Sequence, residues 1–320
     1  MSARLEYAIV VKAKTRYETL LERFNTAGQA RFYLSRASAN AGTATDGAAE
    51  FEEYAQEHAR IAAAVAQVQR ELTGVVKSKI VERAFLPSFL FADNQLVIVV
   101  GQDGLVANAA KYVRGRPLVA VNPDPDRYDG VLLPFRPDTC RAAVQRVLAG
   151  RAPTRTHQLA EAVLNDGQRL LAFNDLFVGA ASHVSARYKI SFAGAQEEHS
   201  SSGIIVATPA GSTGWLSSVF NMTAAVEAFS GGDVRLAAPP RPLDDELLFV
   251  VREPFLSRRT QCGLVAGRLR PGQPLQLESL MPAGGVIFSD GVESDFLGFN
   301  AGAVATIGPA KEAAQLVQPG

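Results

Sequence analysis

The chain has 320 residues, of which 47% are hydrophobic and 20% are charged, and its 32 basic residues balance 32 acidic ones. This composition is typical of a folded globular protein. A net charge of zero excludes a global attraction to nucleic acid or to a membrane surface, so any anionic ligand has to be held locally. The sequence shows neither a signal peptide nor an apolar run of about 18 residues, which predicts a cytoplasmic protein with no nucleic-acid or membrane partner.

Motifs for several common chemistries are missing. Cys140 and Cys262 stand far apart with no cluster of Cys or His near them, so no metal site is predicted and both thiols are expected to be buried. The four histidines are scattered along the chain: His58, His157, His183 and His199. The Gly-x-Ser-x-Gly elbow, the Gly-x-Gly-x-x-Gly fingerprint and the Walker loop are absent, which argues against serine hydrolases, hydride-transferring Rossmann enzymes and P-loop enzymes.

The first part of the chain alternates strands and helices. Residues 7–11 form a short apolar run typical of a strand, and residues 15–27 are predicted as a helix. A stretch rich in Ala, Ser, Thr and Gly at 37–47 predicts a mobile loop, and an amphipathic helix is predicted over 50–72. The charged residues of that helix are expected to form a solvated face: Glu52, Glu53, Glu57 and Arg60.

Two continuous apolar runs, at 96–100 and 118–121, are typical of strands buried on both faces of a parallel sheet. Residues 106–113 between them predict a crossover helix, and residues 138–148 predict a further helix. Ligands gather at the carboxyl ends of strands in such sheets, so the polar turns that follow the two runs are candidate binding elements.

The texture of the sequence changes after a Pro- and Arg-containing connection at 150–155, which predicts an approximate lobe boundary. Beyond it, short apolar runs alternate with Gly, Ser and Pro turns and with few helical stretches, at 170–173, 177–178, 186–192, 204–207, 247–251 and 275–277. The predicted fold is an α/β N-terminal lobe with a parallel sheet at 1–150, followed by a mainly β lobe at 151–320.

The turn after the first apolar run consists of Gly101, Gln102, Asp103 and Gly104. Glycines let backbone N–H groups approach a ligand, and the N-terminus of the following helix favours negative charge, so this arrangement fits a phosphate-binding loop. The same residues also fit a tight turn in which Asp103 merely caps the helix.

Four segments, taken in chain order, resemble motifs of the NAD kinase family, which belongs to the NAD kinase and diacylglycerol kinase superfamily. Residues 101–105 resemble the family's Gly-Gly-Asp-Gly-Thr loop, with Asn122 at the Asn that ends the next strand. Residues 173–175 look like the Asn-Glu motif. Residues 202–215 are similar to the Gly-rich signature that ends Thr-Pro-Thr-Gly-Ser-Thr-Ala-Tyr, and residues 288–291 look like a recurring turn of the β lobe.

The resemblance implies roles for individual residues. Asp103 is expected to engage the 2′-hydroxyl of the acceptor, while Asn174 and Asp175 offer an amide and a carboxylate suited to a ribose diol. Further nucleotide-binding residues are implied at the matched positions: Gly101, Gln102, Gly104, Asn122, Thr208, Gly211, Ser212, Thr213 and Trp215. Trp215, the only Trp, fits either stacking on a base or a plain core aromatic.

The chain also departs from the family pattern. Gln102 replaces a Gly and Leu105 replaces a Thr, so a hydroxyl that binds phosphate or metal is missing from the loop. Asp175 is one methylene shorter than the usual Glu, which moves its carboxylate back. Ser-Ser-Ser-Gly at 200–203 stands where many bacterial members have Asp-Gly, although the mitochondrial branch of the family carries a similar Ser-Ser-Gly. The segment 122–130 differs from the usual Gly-rich turn and is expected to reshape the acceptor pocket.

The resemblance implies an ATP-dependent kinase that phosphorylates the adenosine ribose 2′-hydroxyl of NAD to give NADP, with Mg²⁺ on ATP, in a homo-oligomer. Two alternatives stay open. One is a kinase of another hydroxyl acceptor, such as a sugar, a nucleoside or a lipid headgroup. The other is a nucleotide-sensing protein that kept the ribose site and lost turnover through Gln102 and Leu105.

Overall fold

The chain divides into two compact units, each with its own hydrophobic core. The computed structural model describes the following residues: 5–41, 47–232 and 240–320. The first unit consists of residues 1–109, 116–155 and 316–320. The second unit consists of residues 110–115 and 156–315. Within the described ranges, every helix is too short or too polar to serve as a membrane span.

The first unit is built on four parallel strands: β1 (Tyr7–Lys12), β2 (Lys77–Glu82), β3 (Gln95–Val100) and β4 (Pro117–Val121). They lie in the order β2-β1-β3-β4. The apolar runs correctly predict β1, β3 and β4. β2 was not predicted, because it is an edge strand that is mostly exposed and carries charges, and an edge strand needs few apolar residues.

The helices described in this unit are α1 (Arg16–Phe24), α2 (Ala27–Ala41), α3 (Gly47–Leu72), α4 (Asp103–Ala110) and α5 (Cys140–Leu148). α1 begins with a capping box, in which Thr15 Oγ1 accepts from the Glu18 N–H and the Glu18 carboxylate accepts from the Thr15 N–H. It ends at Asn25 in the left-handed conformation, with φ at 61°. The single helix predicted over 15–27 is therefore interrupted.

Two predicted boundaries in this unit are wrong. The loop predicted at 37–47 is too long, because α2 and α3 leave only residues 42–46 between them, and these lie outside the described residues. A Cβ at Gly47 would lie 2.3 Å from the Leu34 carbonyl oxygen, so glycine is what lets α3 begin this close to α2. The crossover helix predicted over 106–113 is α4, which starts and ends earlier in the chain.

The second unit contains a six-stranded antiparallel sheet in the order β12-β11-β10-β7-β14-β15. Its strands are β7 (Asp175–Ala180), β10 (Ile204–Ala207), β11 (Leu247–Val251), β12 (Ala266–Leu269), β14 (Gly285–Ser289) and β15 (Val292–Gly298). The other strands of this unit are β5 (Thr154–Leu164), β6 (Arg169–Ala172), β8 (Ala186–Phe192), β9 (Ala195–Ser201), β13 (Leu275–Ser279) and β16 (Val304–Val317). The mainly β lobe predicted from the sequence is confirmed.

β10 shows how the second unit is layered. Ile204 and Val206 point into the core between the two sets of strands, together with residues of β8 and β13. Ile205 and Ala207, on the opposite face, pack against helix α6 (Trp215–Phe229). A strand covered on both faces has to be apolar throughout, which is why the sequence reads there as one continuous run.

α6 itself was not predicted, because its pattern is not amphipathic. Several of its exposed positions are apolar, namely Met222, Val226 and Phe229. The usual separation of an apolar and a polar face is therefore missing from the sequence.

The two thiols lie in different surroundings. Cys140 is fully buried in the core of the first unit, and burial raises the pKa of its thiol to about 12. Cys262 is exposed, so the prediction that both thiols are buried is wrong for this residue. It lies between β11 and β12, where the neighbouring backbone N–H groups of Gln261 and Gly263 are bound by β9. Hydrogen bonds order this connection without burying the thiol.

Truncation of Leu72 should destabilise the first unit. Its side chain is 0% exposed at the end of α3, whereas Leu90 is 83% exposed. Leu72→Ala is expected to lower the free energy of unfolding by roughly 2–5 kcal/mol through lost burial and a residual cavity. The same substitution at Leu90 should change it by about 0.5 kcal/mol at most. Chemical denaturation measures both, and equal effects would contradict the assigned core.

Candidate functional site

The turn at residues 101–104 joins β3 to α4. The Gly101 N–H donates to the Val121 carbonyl at 3.3 Å, which ties the turn to the end of β4. A Cβ at Gly101 would lie 2.7 Å from Leu105 Cδ2, so the buried leucine packs closely against this glycine, and a side chain here would have to displace it. The Gln102 carbonyl accepts from the N–H groups of Leu105 and Val106, and this starts α4.

Asp103 is the first residue of α4, one position after the helix cap at Gln102. Its carboxylate Oδ1 accepts a hydrogen bond from the Leu132 N–H at 2.7 Å. The side chain is thus held by a residue that is distant in sequence and belongs to the same unit. This contact orients the carboxylate. Among the described contacts, the carboxylate accepts no hydrogen bond from a backbone N–H of α4, so it is not seen to cap that helix.

A buried carboxylate organises the side chain that departs most from the family loop. Glu57 is 6% exposed, so its prediction as part of a solvated face is wrong, while its neighbours Glu52 and Glu53 are exposed. Glu57 Oε1 accepts from the Tyr128 hydroxyl at 2.6 Å and from Gln102 Nε2 at 3.4 Å. Burial first, and the bond to Glu57 second, raise the pKa of Tyr128. A charged residue in an amphipathic helix is ordinarily exposed, so the sequence gave no indication that Glu57 makes these contacts.

Asn122 builds the turn that follows β4. Its Oδ1 accepts from the Asp124 N–H at 3.0 Å, and its Nδ2 donates to the Tyr128 carbonyl at 3.0 Å. A Cβ at Gly130 would lie 2.6 Å from Asn122 Nδ2, which closes the other end of the turn around the same side chain. Both polar atoms of this predicted nucleotide-binding residue are therefore engaged within the segment 122–130.

The segment 173–175 of the second unit is held by one carboxylate. Asp290 accepts hydrogen bonds from the N–H groups of Phe173 at 3.1 Å, Asn174 at 2.6 Å and Asp175 at 3.4 Å. Its own N–H donates to the Asp175 carbonyl at 3.0 Å. Both carboxylate oxygens act as acceptors, which is the pattern of an ionised group. Asp290 stands at φ 54°, a left-handed conformation that Asp tolerates better than most residues.

The Gly-rich loop after β10 packs onto this segment. The Thr208 hydroxyl donates to the Phe173 carbonyl at 2.5 Å, and the Thr208 N–H donates to the Asn174 carbonyl at 2.9 Å. A Cβ at Gly211 would lie 2.1 Å from the Asn174 carbonyl oxygen. Of the other predicted hydroxyls, Ser212 is buried and donates to the loop backbone, while Thr213 is exposed. Two motifs that are distant in sequence are therefore in contact.

The carboxyl group of Asp175 titrates near neutrality. Burial first, and the nearby charge of Asp290 second, raise the pKa of Asp175 to about 7. Burial also raises the pKa of Asp290, although the charge of Lys111 and the three N–H donors oppose this. Two carboxyl groups in one buried place with unequal partners are typical of functional sites.

Trp215 lines an aromatic cleft of about 660 Å³ within the second unit. Its ring stacks on Phe177 with 5.6 Å between centroids and 10° between planes, and the Arg252 guanidinium lies 5.4 Å from its centroid. Phe177 in turn stacks on Phe288 at 4.9 Å. The indole is partly exposed, and it packs against the apolar cluster between the sheet and α6 as well as lining the cleft.

The structure sorts the predicted site residues into two groups. In the first unit it places Asn122 beside the turn of Gly101, Gln102, Asp103 and Gly104. In the second unit it brings together Asn174, Asp175, Thr208, Gly211 and Ser212, with Thr213 and Trp215 on the same loop and helix. Sequence reasoning noticed the turn at 288–291 and did not assign Asp290 a role in the site, and it missed Glu57 and Lys111. Among the described residues, no group of three or more His, Cys, Asp and Glu side chains could hold a metal ion.

Among known proteins, the chain is similar in sequence to several NAD kinases. The chain is 29% identical over 123 residues to the NAD kinase of Chlorobaculum tepidum, 30% over 151 residues to that of Psychrobacter arcticus and 30% over 129 residues to that of Saccharolobus solfataricus. The matched segments cover 37%, 45% and 40% of this chain, in the same order, and 42%, 45% and 49% of the relatives. Less than half the length of each relative is therefore matched. No protein-family model matches the chain.

Solved structures match over nearly the whole chain. An NAD kinase from Archaeoglobus fulgidus in complex with ATP has a TM-score of 0.54 at 14% identity, and covers 98% of this chain and 94% of its own. Yeast NADH kinase complexed with NADH has a TM-score of 0.56 at 13% identity, and covers 99% of this chain and 84% of its own. The chain therefore shares the fold of these two kinases, as the sequence predicted. In sequence it is similar to NAD kinases over less than half of its length.

Gly211 is expected to tolerate no side chain. Gly211→Ala would place a Cβ 2.1 Å from the Asn174 carbonyl oxygen, whereas a Cβ at Gly298, which is exposed in β15, would meet no atom within 4 Å. We expect Gly211→Ala to lower the free energy of unfolding by roughly 1–3 kcal/mol through overpacking, with Gly298→Ala as the nearly neutral control. Urea denaturation measures both, and a neutral Gly211→Ala would show that the two motifs are not packed as described.

The raised pKa of Asp175 predicts a pH-dependent stability. Its folded pKa of about 7 lies above the ordinary value of 3.8, so its contribution to stability is fully present below 3.8 and is lost as the pH rises through about 7. Between about pH 5 and pH 8, the wild type should lose free energy of unfolding relative to Asp175→Asn, which cannot titrate. Denaturation series across this range check the sign, and parallel curves for the two proteins would contradict it.

Proposed function

We propose that the chain is an ATP-dependent kinase that phosphorylates the 2′-hydroxyl of the adenosine ribose of NAD to give NADP. The observation that carries the proposal is the packing of residues 173–175 against the Gly-rich loop, because it joins two motifs that resemble those of NAD kinases. The relatives named NAD kinase and the solved structures with bound ATP and NADH support the same ligands. A homo-oligomer is part of the proposal, as the resemblance implies.

The proposed chemistry assigns Asp103 to the acceptor hydroxyl. As the 2′-oxygen forms a bond to the γ-phosphorus of ATP, the bond from that phosphorus to the bridging oxygen breaks and ADP leaves. The hydroxyl proton passes to the Asp103 carboxylate, which the Leu132 N–H holds in one orientation. Positioning of this kind is the main source of rate in phosphoryl transfer.

Binding of the ribose is assigned to Asn174 and Asp175. An ionised carboxylate accepts hydrogen bonds from both hydroxyls of a diol, and the amide can donate as well as accept. Because the pKa of Asp175 is about 7, its acceptor form is populated at and above neutral pH. Trp215 is assigned to the base, since its indole lines the aromatic cleft.

The family resemblance also implies Mg²⁺. The described residues contain no group of acidic or His and Cys side chains that fits a metal site of the protein's own. The ion is therefore proposed only as part of the MgATP substrate, where it would neutralise phosphate charge.

The loop composition favours a second candidate, a nucleotide sensor without turnover. Leu105 is 5% exposed and packs on Gly101, where the family has a hydroxyl, and Gln102 is tied to Glu57. The backbone N–H groups that cradle a phosphate do not depend on these side chains, and for this reason the kinase is the first proposal.

An acceptor panel separates the candidates. The full chain is incubated with ATP, Mg²⁺ and NAD, NADH, a nucleoside, a sugar or a lipid headgroup, and ADP release and product mass are measured. NADP formed from NAD supports the proposal. If another acceptor is phosphorylated instead, that acceptor replaces NAD as the proposed substrate. If NAD binds and no product forms with any acceptor, the result supports the nucleotide sensor.

Asp103→Asn should abolish turnover while leaving the protein folded. Asn keeps an oxygen that accepts from the Leu132 N–H and loses the charge, so the melting temperature and the NAD affinity should change little. We expect kcat to fall on the order of a hundredfold or more, because a positioned proton acceptor is removed. Asp244→Asn, at an exposed site, controls for loss of one charge. Normal turnover of a folded Asp103→Asn protein would exclude the catalytic assignment.

A further inference from the structure

A buried lysine stands next to the carboxylate that holds residues 173–175. The Lys111 side chain is 1% exposed, and its Nζ donates to Ser289 Oγ at 2.6 Å. The nearest carboxylate oxygens of Asp290 and Asp295 lie 4.0 Å and 3.9 Å from Nζ. A buried ammonium is costly unless opposite charges and hydrogen bonds compensate for lost water, so this group of acceptors determines where Nζ lies.

Each partner of Lys111 is itself fixed. Ser289 is fully buried and is the last residue of β14, which pairs with β7. Asp295 accepts from the Tyr112 hydroxyl, so its carboxylate has a second anchor beside the ammonium. Asp290 is 2% exposed at its side chain. The ammonium is therefore held by groups that are themselves anchored, and it lies beside Asp290, through which it can act on the segment 173–175.

We propose that Lys111 is a positioning residue for the proposed ribose site, acting through Ser289 and Asp290 on the backbone of residues 173–175. This inference rests on the proposed function for its ligand, while the positioning itself concerns the protein alone. The Lys111 charge keeps the Asp290 carboxylate ionised in a buried place. The ionised carboxylate in turn accepts all three N–H groups of the segment.

Charge is the property of Lys111 that the arrangement requires. Three N–H donors converge on Asp290 through both of its oxygens, and protonation of either oxygen would remove an acceptor. Burial favours the protonated form, and the positive charge of Lys111 opposes it more strongly than any one of the backbone N–H donors does. An apolar side chain of the same length would fill the space and lack this effect.

Lys111→Met tests the inference, with Lys311→Met as the matched control, because Lys311 is exposed on β16 and lies outside both regions in which exchange is followed. Amide hydrogen exchange is followed at residues 173–175 and in β8, and the NAD dissociation constant is measured by calorimetry. In Lys111→Met, exchange at 173–175 should speed up about tenfold or more relative to β8, since hydrogen bonds to a charged group are lost. NAD binding should weaken about tenfold, and Lys311→Met should change neither quantity.

Ser289→Ala keeps the inference testable if Lys111→Met does not fold. It removes one hydrogen-bond acceptor of Nζ and leaves the lysine charge in place, so it should speed up exchange at 173–175 less than Lys111→Met does, with β8 unchanged. Unchanged protection at 173–175 in the folded variants would overturn the positioning role. Failure of the wild type to bind NAD would instead refute the proposed ligand, and the exchange data would still decide the role of Lys111.

Discussion

Three consecutive backbone N–H groups converge on the Asp290 carboxylate, and the site of the second unit depends on this interaction. In a regular strand, successive N–H groups point in opposite directions, so a segment that turns them toward one point needs an acceptor there. Leaving such buried donors unpaired would cost about 1–3 kcal/mol each. The Gly-rich loop packs onto the segment only in this conformation, since its Thr208 and Gly211 touch the carbonyls of Phe173 and Asn174.

The same interaction sets the electrostatics of the site. Asp290 stabilises the backbone and at the same time repels the second carboxylate at Asp175, whose pKa rises to about 7. Lys111 compensates one of the two charges and lies next to Asp290. This arrangement lowers the free energy of unfolding as the pH rises, and it supplies a strong hydrogen-bond acceptor in a buried place. Ligand-binding sites commonly combine function with such a loss of stability.

In the first unit, the turn at 101–104 and the adjoining Leu105 differ in their side chains from the NAD kinase loop that they resemble. Leu105 fills the space beside Gly101, and Gln102 reaches the buried Glu57, whose other partner is Tyr128 from the altered segment 122–130. These departures are connected by contacts, so they are one local change in the protein. Function resides in such sites and not in the fold, which explains how a fold shared with NAD kinases is compatible with a loop of different chemistry.

The sequence by itself determined the fold class, most central strands and the likeness to NAD kinases. Continuous apolar runs such as 96–100 and 204–207 favour strands that are covered on both faces. Motifs such as that at 101–104 can be recognised from the sequence because their residues are adjacent in the chain. Only the tertiary structure decided that Glu57 is buried, that Cys262 is exposed, and that Lys111 and Asp290 act on residues 173–175. Those properties arise from contacts between residues far apart in the chain, and a side chain's burial and charge state depend on the neighbours that folding supplies.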